Sequence, residues 1–450
     1  MDVNCGNYLL NYTKSAVQKK KVAEQQIDRA LHNLFAVRMR LGLFNGNLQK
    51  QVFGNISPNE VCSKMHLALA LEAARHGIVL LKNSAKLLPL SKAKTNSLAV
   101  IGPNANNAHV LRGNYEGPPC TQVAILQALH GYVENIQYHQ GCNAVTCTSA
   151  AIVDAVNVAK HADYVVLVMG LDQSQEKEDF DRENLNLPGQ QQDLVIAVAK
   201  ASKKPVVLVI LSGGPVDISF AKYDPMIGSI LWAGYPGEAG GFALSEVIFG
   251  EHNPGGKLPL TWYPQDFVKI PMTDMRMRPN PTSGYPGRTY RFYKGKKVFE
   301  FGYGLSYTTY AYEFTSATHN TLLLNQMSTI KPFTNKDLSR YISVAEMGTE
   351  SCDKVKFSAF LRVENSGEMA GKHPVLLFVR HEKYSNEHPV KQLVGFQSVS
   401  LNANETAEIN FVISPCEHLS RANEDGLMLI EEGYHYLVVG DKEYPLNVLL

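Results

Sequence analysis

Three apolar runs, YVVLVMG (164–170), PVVLVILSG (205–213) and SILWAGY (229–235), limit what this chain can fold into more than any other feature. The first two are dense in β-branched residues and none of the three shows polar alternation, which is the pattern of a strand covered on both faces in a parallel sheet. SLAVIG (97–102) and NIQYHQG (135–141) add two shorter strands. Helical patterns fall between them at TQVAILQALHGY (121–132), SAAIVDAVNVAKHA (149–162), DLVIAVAKASK (193–203) and EAGGFALSEVIFG (238–250). Strands and helices alternating at these lengths predict an α/β fold: a layered α/β sandwich over residues 46–265.

After Gly170 the character of the chain flips. Asp172, Glu176, Glu178, Asp179, Asp181 and Glu183 crowd together, with Arg182 among them. Ligands of open α/β sheets bind in the crevice beyond the carboxyl ends of the strands. A carboxyl for proton transfer and a solvated acidic loop both fit these residues. The loop is expected to be exposed and weakly held. The GPNANN turn after SLAVIG has neither glycine-rich phosphate-binding spacing, which argues against a nucleotide site.

Residues 14–41 carry apolar positions at helical spacing with charges between them, and a further helix is predicted from Asn59 to Leu81, with Pro58 at its start. Residues 266–310 are rich in Pro, Gly, Arg and Tyr and read as an ordered linker. Arg288, Tyr290, Arg291 and Tyr293 there could form a sugar platform, although an interdomain seam suits such a linker better. From 311 to 450, about seven short alternating strands around a polar insert at 318–350 describe an immunoglobulin-like β-sandwich. Trp232 reads as core.

The formal net charge of +1 favours neither nucleic acid nor an anionic membrane as a partner, and no apolar run reaches a membrane span. The first residues show no signal peptide. Of the seven cysteines, Cys142 and Cys147 are close enough for a short disulfide, and Cys352 could pair with Cys416 across the sandwich. Sequons at Asn11, Asn55 and Asn404 tilt toward a secreted protein. The histidines are scattered without ligand spacing, so neither a metal nor a cofactor is expected.

Several strings occur together and in order: GLDQSQEKEDFDR, SGGPVDISFAK, ILWAGYPGEAGG, FGEHNPGGKLPLTWYP, MTDMRMRPNPTSGYPGRTYRFY and FEFGYGLSYT. Through them essentially the whole chain resembles glycoside hydrolase family 3, and within it the plant β-D-xylosidase and α-L-arabinofuranosidase branch. The resemblance implies a (β/α)8 barrel followed by an α/β sandwich and a fibronectin type III-like domain. Residues 1–45 then resemble the helical end of the barrel, the chain reads as a fragment, and the barrel's nucleophilic Asp in its Ser-Asp motif is absent from it. The implied activity is a retaining exo-glycosidase releasing xylose, or arabinose, from xylan-type oligosaccharides or aryl pentosides in the extracellular cell wall. Glu176 is the first choice for the general acid/base, Glu178 the second and Asp172 the third, while Asn114 and Tyr115 would lie near the sugar. By itself the chain is expected to be inactive. The alternative is a non-catalytic carbohydrate-binding or interaction protein derived from that family.

Overall fold

The computed structural model describes residues 2–324, 333–334, 340–383 and 388–450. The chain divides into two units, Met1–Leu67 and Ala68–Leu450. The first carries two amphipathic helices, α1 (Tyr8–Gln18) and α2 (Glu24–Arg40). Gln26 caps α2 by accepting a hydrogen bond from the Ala23 N–H at 3.1 Å. Arg38 and Arg40 stand where the negative end of the helix dipole favours them.

Helix α3 (Lys64–Gly77) is shorter than expected, because Val79–Asn83 is a strand, β1. The residues Ile78–Leu81 fit a helical tail by spacing. Pairing decides against it: β1 lies antiparallel on the edge of the sheet, with Val79 opposite Trp232 and Asn83 opposite Ser229. The rest follows the predicted rhythm: β2 (Leu98–Ile101), α4 (Ile125–Leu129), β3 (Ile136–His139), α5 (Ile152–His161), β4 (Tyr164–Gly170), α6 (Gln191–Ala201), β5 (Val206–Leu211), α7 (Ser219–Tyr223), β6 (Ile227–Gly234) and α8 (Gly240–Ile248). Helix α4 covers only the middle of its predicted stretch.

The sheet order is β1-β6-β5-β4-β2-β3, parallel throughout except for β1. Successive side chains of β4 serve opposite cores. Val165, Leu167 and Met169 pack with Ala155 and Ala159 of α5 and with Leu194 and Val198 of α6. Val166 and Val168 pack with Ile125 and Leu129 of α4 and with Leu244 and Val247 of α8. Each such fully buried side chain contributes roughly 1.5–3 kcal/mol, which is why the buried positions of β4 carry no polar residue. From β2 the chain steps outward to β3, then crosses to β4 on the other side and continues to β5 and β6. The switch point of this topology therefore lies between β2 and β4, and the crevice opens along the carboxyl edge of the sheet, where their loops and those of β5 and β6 stand.

Two glycines shape that end. Gly102 (φ +139°) and Gly170 (φ +142°) follow the last apolar residues of β2 and β4. A Cβ on Gly102 would sit 2.0 Å from the Val168 carbonyl oxygen, and one on Gly170 2.0 Å from that of Leu211. No side chain fits at either place.

The linker is ordered, as expected. Trp262 is fully buried, pairs with Phe299 across the backbone, and packs edge-on against Trp232. A short helix, α9 (Thr289–Phe292), precedes the sandwich. The remaining elements are β7 (Tyr310–Ala317), β8 (Thr321–Leu323), β9 (Phe333–Thr334), β10 (Arg340–Ser343), α10 (Val344–Lys354), β11 (Phe357–Asn365), β12 (Gly371–His381), β13 (Gln392–Leu401), β14 (Thr406–Ile413), β15 (Arg421–Ala422), β16 (Met428–Glu431), β17 (Gly433–Val439) and β18 (Lys442–Leu449). Sheets ordered β14-β11-β7 and β13-β12-β17-β18-β8 face each other, and β15-β16-β10-β9 form a small sheet beside them. The stretch read as a polar insert thus contains β8, β10 and α10, which pair with or pack on the sandwich; its residues 325–332 and 335–339 lie outside the described residues. Disulfides join Cys142 to Cys147 and Cys352 to Cys416.

Candidate active site

Gln191, fully buried, ties down the exit of β4: its side chain accepts from the Gly170 N–H (2.9 Å) and donates to the carbonyls of Gly170 (2.9 Å) and Val145 (2.6 Å). Past Gly170 the chain turns on Asp172. Its carboxylate accepts from the Ser174 N–H and hydroxyl (2.8 and 2.6 Å), and its carbonyl accepts from the N–H groups of Gln175 and Glu176. Asp172 is consumed in building this turn, which directs Glu176 across the ends of β5 and β6.

There Glu176 is held from three sides. Oε1 accepts from the Gly213 N–H, just past β5, at 2.5 Å, and from the Tyr235 hydroxyl, just past β6, at 2.6 Å. Oε2 lies 3.6 Å from Nη1 of Arg182, which is anchored on the carbonyls of Pro215 and Asn184. The side chains of Glu176 and Arg182 are 16% and 13% exposed, so the carboxylate is screened but not sealed from solvent. Burial, then the neighbouring carboxylate, pushes the Tyr235 phenol well above its usual value and keeps it a donor. Burial draws the Arg182 guanidinium down, with Glu176 opposing.

The loop therefore differs from the expectation of a weakly held segment. Lys177–Asp181 is exposed, but the root of the loop at Glu176 is pinned by hydrogen bonds. Glu178 stands on the exposed part and reaches the hydroxyl of Tyr115, whose phenol is raised chiefly by that hydrogen bond. Gln173 donates to the Arg112 carbonyl at 3.3 Å, and Arg112 pairs with Glu116 at 2.9 Å, so the loop after β2 is tied to the loop after β4. Tyr115 thus comes to the acidic loop, and Asn114 is exposed beside it.

Sequence reasoning missed Tyr235 and Glu238. Both stand in AGYPGEAG directly after an apolar strand, a position that by itself marks the crevice. Glu238 accepts from the backbone N–H groups of Cys120 and Thr121 and so fixes the segment that precedes α4. The aromatic linker cluster is a seam. Tyr290 stacks on Phe301 and accepts from the Leu393 N–H, Arg291 donates to Gln392, and Tyr293 is buried against Tyr263. Trp232 is core, its indole N–H donating to Ser212.

The glycosyl hydrolase family 3 C-terminal domain matches residues 78–307, which spans the whole sheet and the crevice. The chain belongs to glycosyl hydrolase family 3. A fibronectin type III-like domain matches residues 373–443. Among similar family members, "Probable beta-D-xylosidase 7" of Arabidopsis thaliana is 63% identical over all of this chain and 58% of its own length. "Beta-xylosidase/alpha-L-arabinofuranosidase 2" of Medicago sativa subsp. varia is 45% identical over all of the chain and 57% of its length. A solved structure, a GH3 exo-beta-xylosidase (XlnD) in complex with a xylobiose aziridine activity-based probe, superposes with a TM-score of 0.86 at 30% identity, covering all of this chain and 57% of the other. The chain spans little more than half the length of these relatives.

Proposed function

We propose that this chain carries the proton-transferring half of a retaining exo-glycosidase that removes xylosyl, and with them arabinofuranosyl, ends from xylan-type oligosaccharides. Glu176 is its general acid/base. The observation that carries this reading is a single carboxylate fixed at the crevice by Tyr235, the Gly213 N–H and Arg182 while the rest of its loop stays open. In the first step Glu176 protonates the leaving oxygen while a second carboxylate attacks the anomeric carbon; in the return step it takes a proton from the attacking water. Its three donors satisfy the carboxylate left behind each time the proton is given up. The nucleophile, in this reading, belongs to the part of the relatives' length outside these 450 residues, and the chain alone turns over no xyloside at an enzymatic rate. An oxidising, extracellular setting is supported by the disulfides Cys142–Cys147 and Cys352–Cys416 and by the exposure of Asn11, Asn55 and Asn404.

The test is an enzyme assembled from this chain and the unmatched part of the Arabidopsis relative. Glu176→Ala should slow xylobiose hydrolysis by ~10²–10⁴-fold. A dinitrophenyl xyloside, whose leaving group needs no proton, should form the glycosyl-enzyme at close to the parent rate, and azide should speed its turnover. The same pattern in Glu178→Ala instead would keep the loop and change the residue. If neither variant shows it, Glu176 and Arg182 are a structural pair and the non-catalytic reading stands.

A further inference from the structure

Far along the chain, one end of the β-sandwich gathers residues that look unrelated in sequence. β12 ends in His381 and pairs there with His435 of β17, whose ring meets it edge-on at 4.6 Å. The ring of His388 lies nearly parallel to that of His381 at 4.9 Å. β16 ends in Glu431, which accepts from Arg421 of β15 on Oε1 at 2.5 Å and shares a 2.5 Å hydrogen bond with His388 Nε2 on Oε2. His435 Nε2 is engaged with the Glu431 carbonyl at 3.1 Å. The side chains of His381, His388 and Glu431 are 7%, 9% and 5% exposed and border a cavity of about 40 Å³, large enough for a water molecule or an ion.

One imidazole nitrogen here takes no part in these hydrogen bonds. His381 Nε2 is buried, has no hydrogen-bond partner among the described residues, and stands 3.9 Å from Glu431 Oε2. A nitrogen left so is costly unless something else uses it. One atom each from His381, His388 and Glu431 lie within 4.8 Å of one another. We propose that these three residues form a binding site for a divalent transition-metal ion, zinc by preference.

Two imidazole nitrogens and one carboxylate oxygen, with water completing a tetrahedron, are a donor set that zinc accepts, whereas calcium and magnesium favour oxygen alone. Arg421 occupies Oε1 and leaves Oε2 for the ion; the His435 contact fixes the backbone of Glu431. Both are outer-shell supports that orient a ligand. Arg421 also offsets part of the charge of Glu431. The ion replaces the proton shared by His388 and Glu431, and binding therefore weakens as pH falls. His381 must rearrange as well. Its Nδ1 accepts from the Lys383 N–H at 3.0 Å, so its own proton sits on Nε2; ligation by Nε2 moves that proton to Nδ1 and opens the contact to Lys383. Metal binding is thereby coupled to the turn that follows β12.

The experiment uses the purified chain in a Cys5→Ser background, so that the exposed thiol takes no ion. After chelation and dialysis, zinc is titrated calorimetrically, and cobalt(II) is titrated as a visible-absorbing substitute. One equivalent should bind, with the absorption of a four-coordinate complex and a raised thermal midpoint. His381→Gln and His388→Gln should each weaken zinc binding by more than the ~10–100-fold typical of an outer-shell loss. His373→Gln, at a buried histidine of the same domain with no carboxylate beside it, should bind as the parent does. Should a glutamine variant fold poorly, His381→Phe keeps a ring packed on His388 while removing the nitrogen. Absence of a stoichiometric ion in the parent overturns the proposal, as does unchanged affinity in the folded His381 and His388 variants.

Discussion

Two glutamates, each beside an arginine, occupy opposite circumstances in this molecule. Glu176 stands on a loop at the carboxyl end of a parallel sheet, 3.6 Å from Arg182, with hydrogen bonds from a backbone N–H and a phenol. Glu431 closes a strand inside the β-sandwich, 2.5 Å from Arg421, with His388 on its other oxygen. Burial pushes the Glu431 carboxyl up, but hydrogen bonds from His388 and Arg421 outweigh it and hold the group at about 2. The carboxylate–arginine pair at the crevice stays within reach of solvent. The same pair enclosed by strands holds its charge in place and fixes neighbouring groups. Position in the fold, more than the identity of the pair, sets the chemistry.

The largest effect that bears on this contrast is on stability. Glu431→Ala takes a buried carboxylate away from both Arg421 and His388 and should cost about 3–5 kcal/mol in urea unfolding. Glu176→Ala, at the solvent edge, should cost well under half of that. Equal losses at the two sites would dissolve the distinction and return Glu176 to a structural role. A second effect separates a buried histidine with no carboxylate from those around Glu431. Burial, and then the charge of Lys257, lowers His373 to about 3; it stacks on Tyr310 and shares a hydrogen bond with Tyr312. As pH falls below 6.5 the unfolded chain takes up a proton that folded His373 refuses, so its contribution to stability is lost progressively from pH 6.5 toward pH 3. Between pH 6.5 and 4.5 that loss should amount to about 2–3 kcal/mol, and His373→Leu should flatten the slope of stability against pH by that amount. An unchanged slope would mean that His373 charges freely in the folded state. The smallest effects lie within the crevice. Tyr235→Phe removes a hydrogen bond to a carboxylate and should cost about 1.5 kcal/mol of stability. Glu178→Gln, on the exposed part of the same loop, should stay within about 0.5 kcal/mol. A reversed order would show that the loop is held by its tip and not by its root.

The two regions were unequally visible in sequence. Strands β4, β5 and β6 announce themselves because burial on both faces leaves them almost wholly apolar, Ser229 excepted, and the acidic loop is conspicuous because its carboxylates are neighbours in the chain. The partners of Glu176 are not: Tyr235 follows it by 59 residues and reads as the tail of a strand. β1 passes for the end of a helix, since only its pairing with β6 distinguishes Val79–Leu81 from a helical continuation. The cluster of His381, His388 and His435 about Glu431 has no local signature at all. Antiparallel pairing of β12 with β17 assembles it, and a separation of 43 positions from His388 to Glu431 conceals it.

Gly102 and Gly170 carry one more consequence. Each leaves a strand end by pressing its bare backbone against the carbonyl of the next strand, the first against Val168 and the second against Leu211. The floor of the crevice is therefore a staircase of main chain that admits no side chain, while the loops springing from it are long and exposed at their tips. A library of single substitutions through 97–116 and 164–190 should divide sharply on this account. The exposed tips, residues 114–118 and 177–181, should accept broad variation, while the two steps accept none. What can diversify in this domain and what cannot are thus set a few residues apart in one loop.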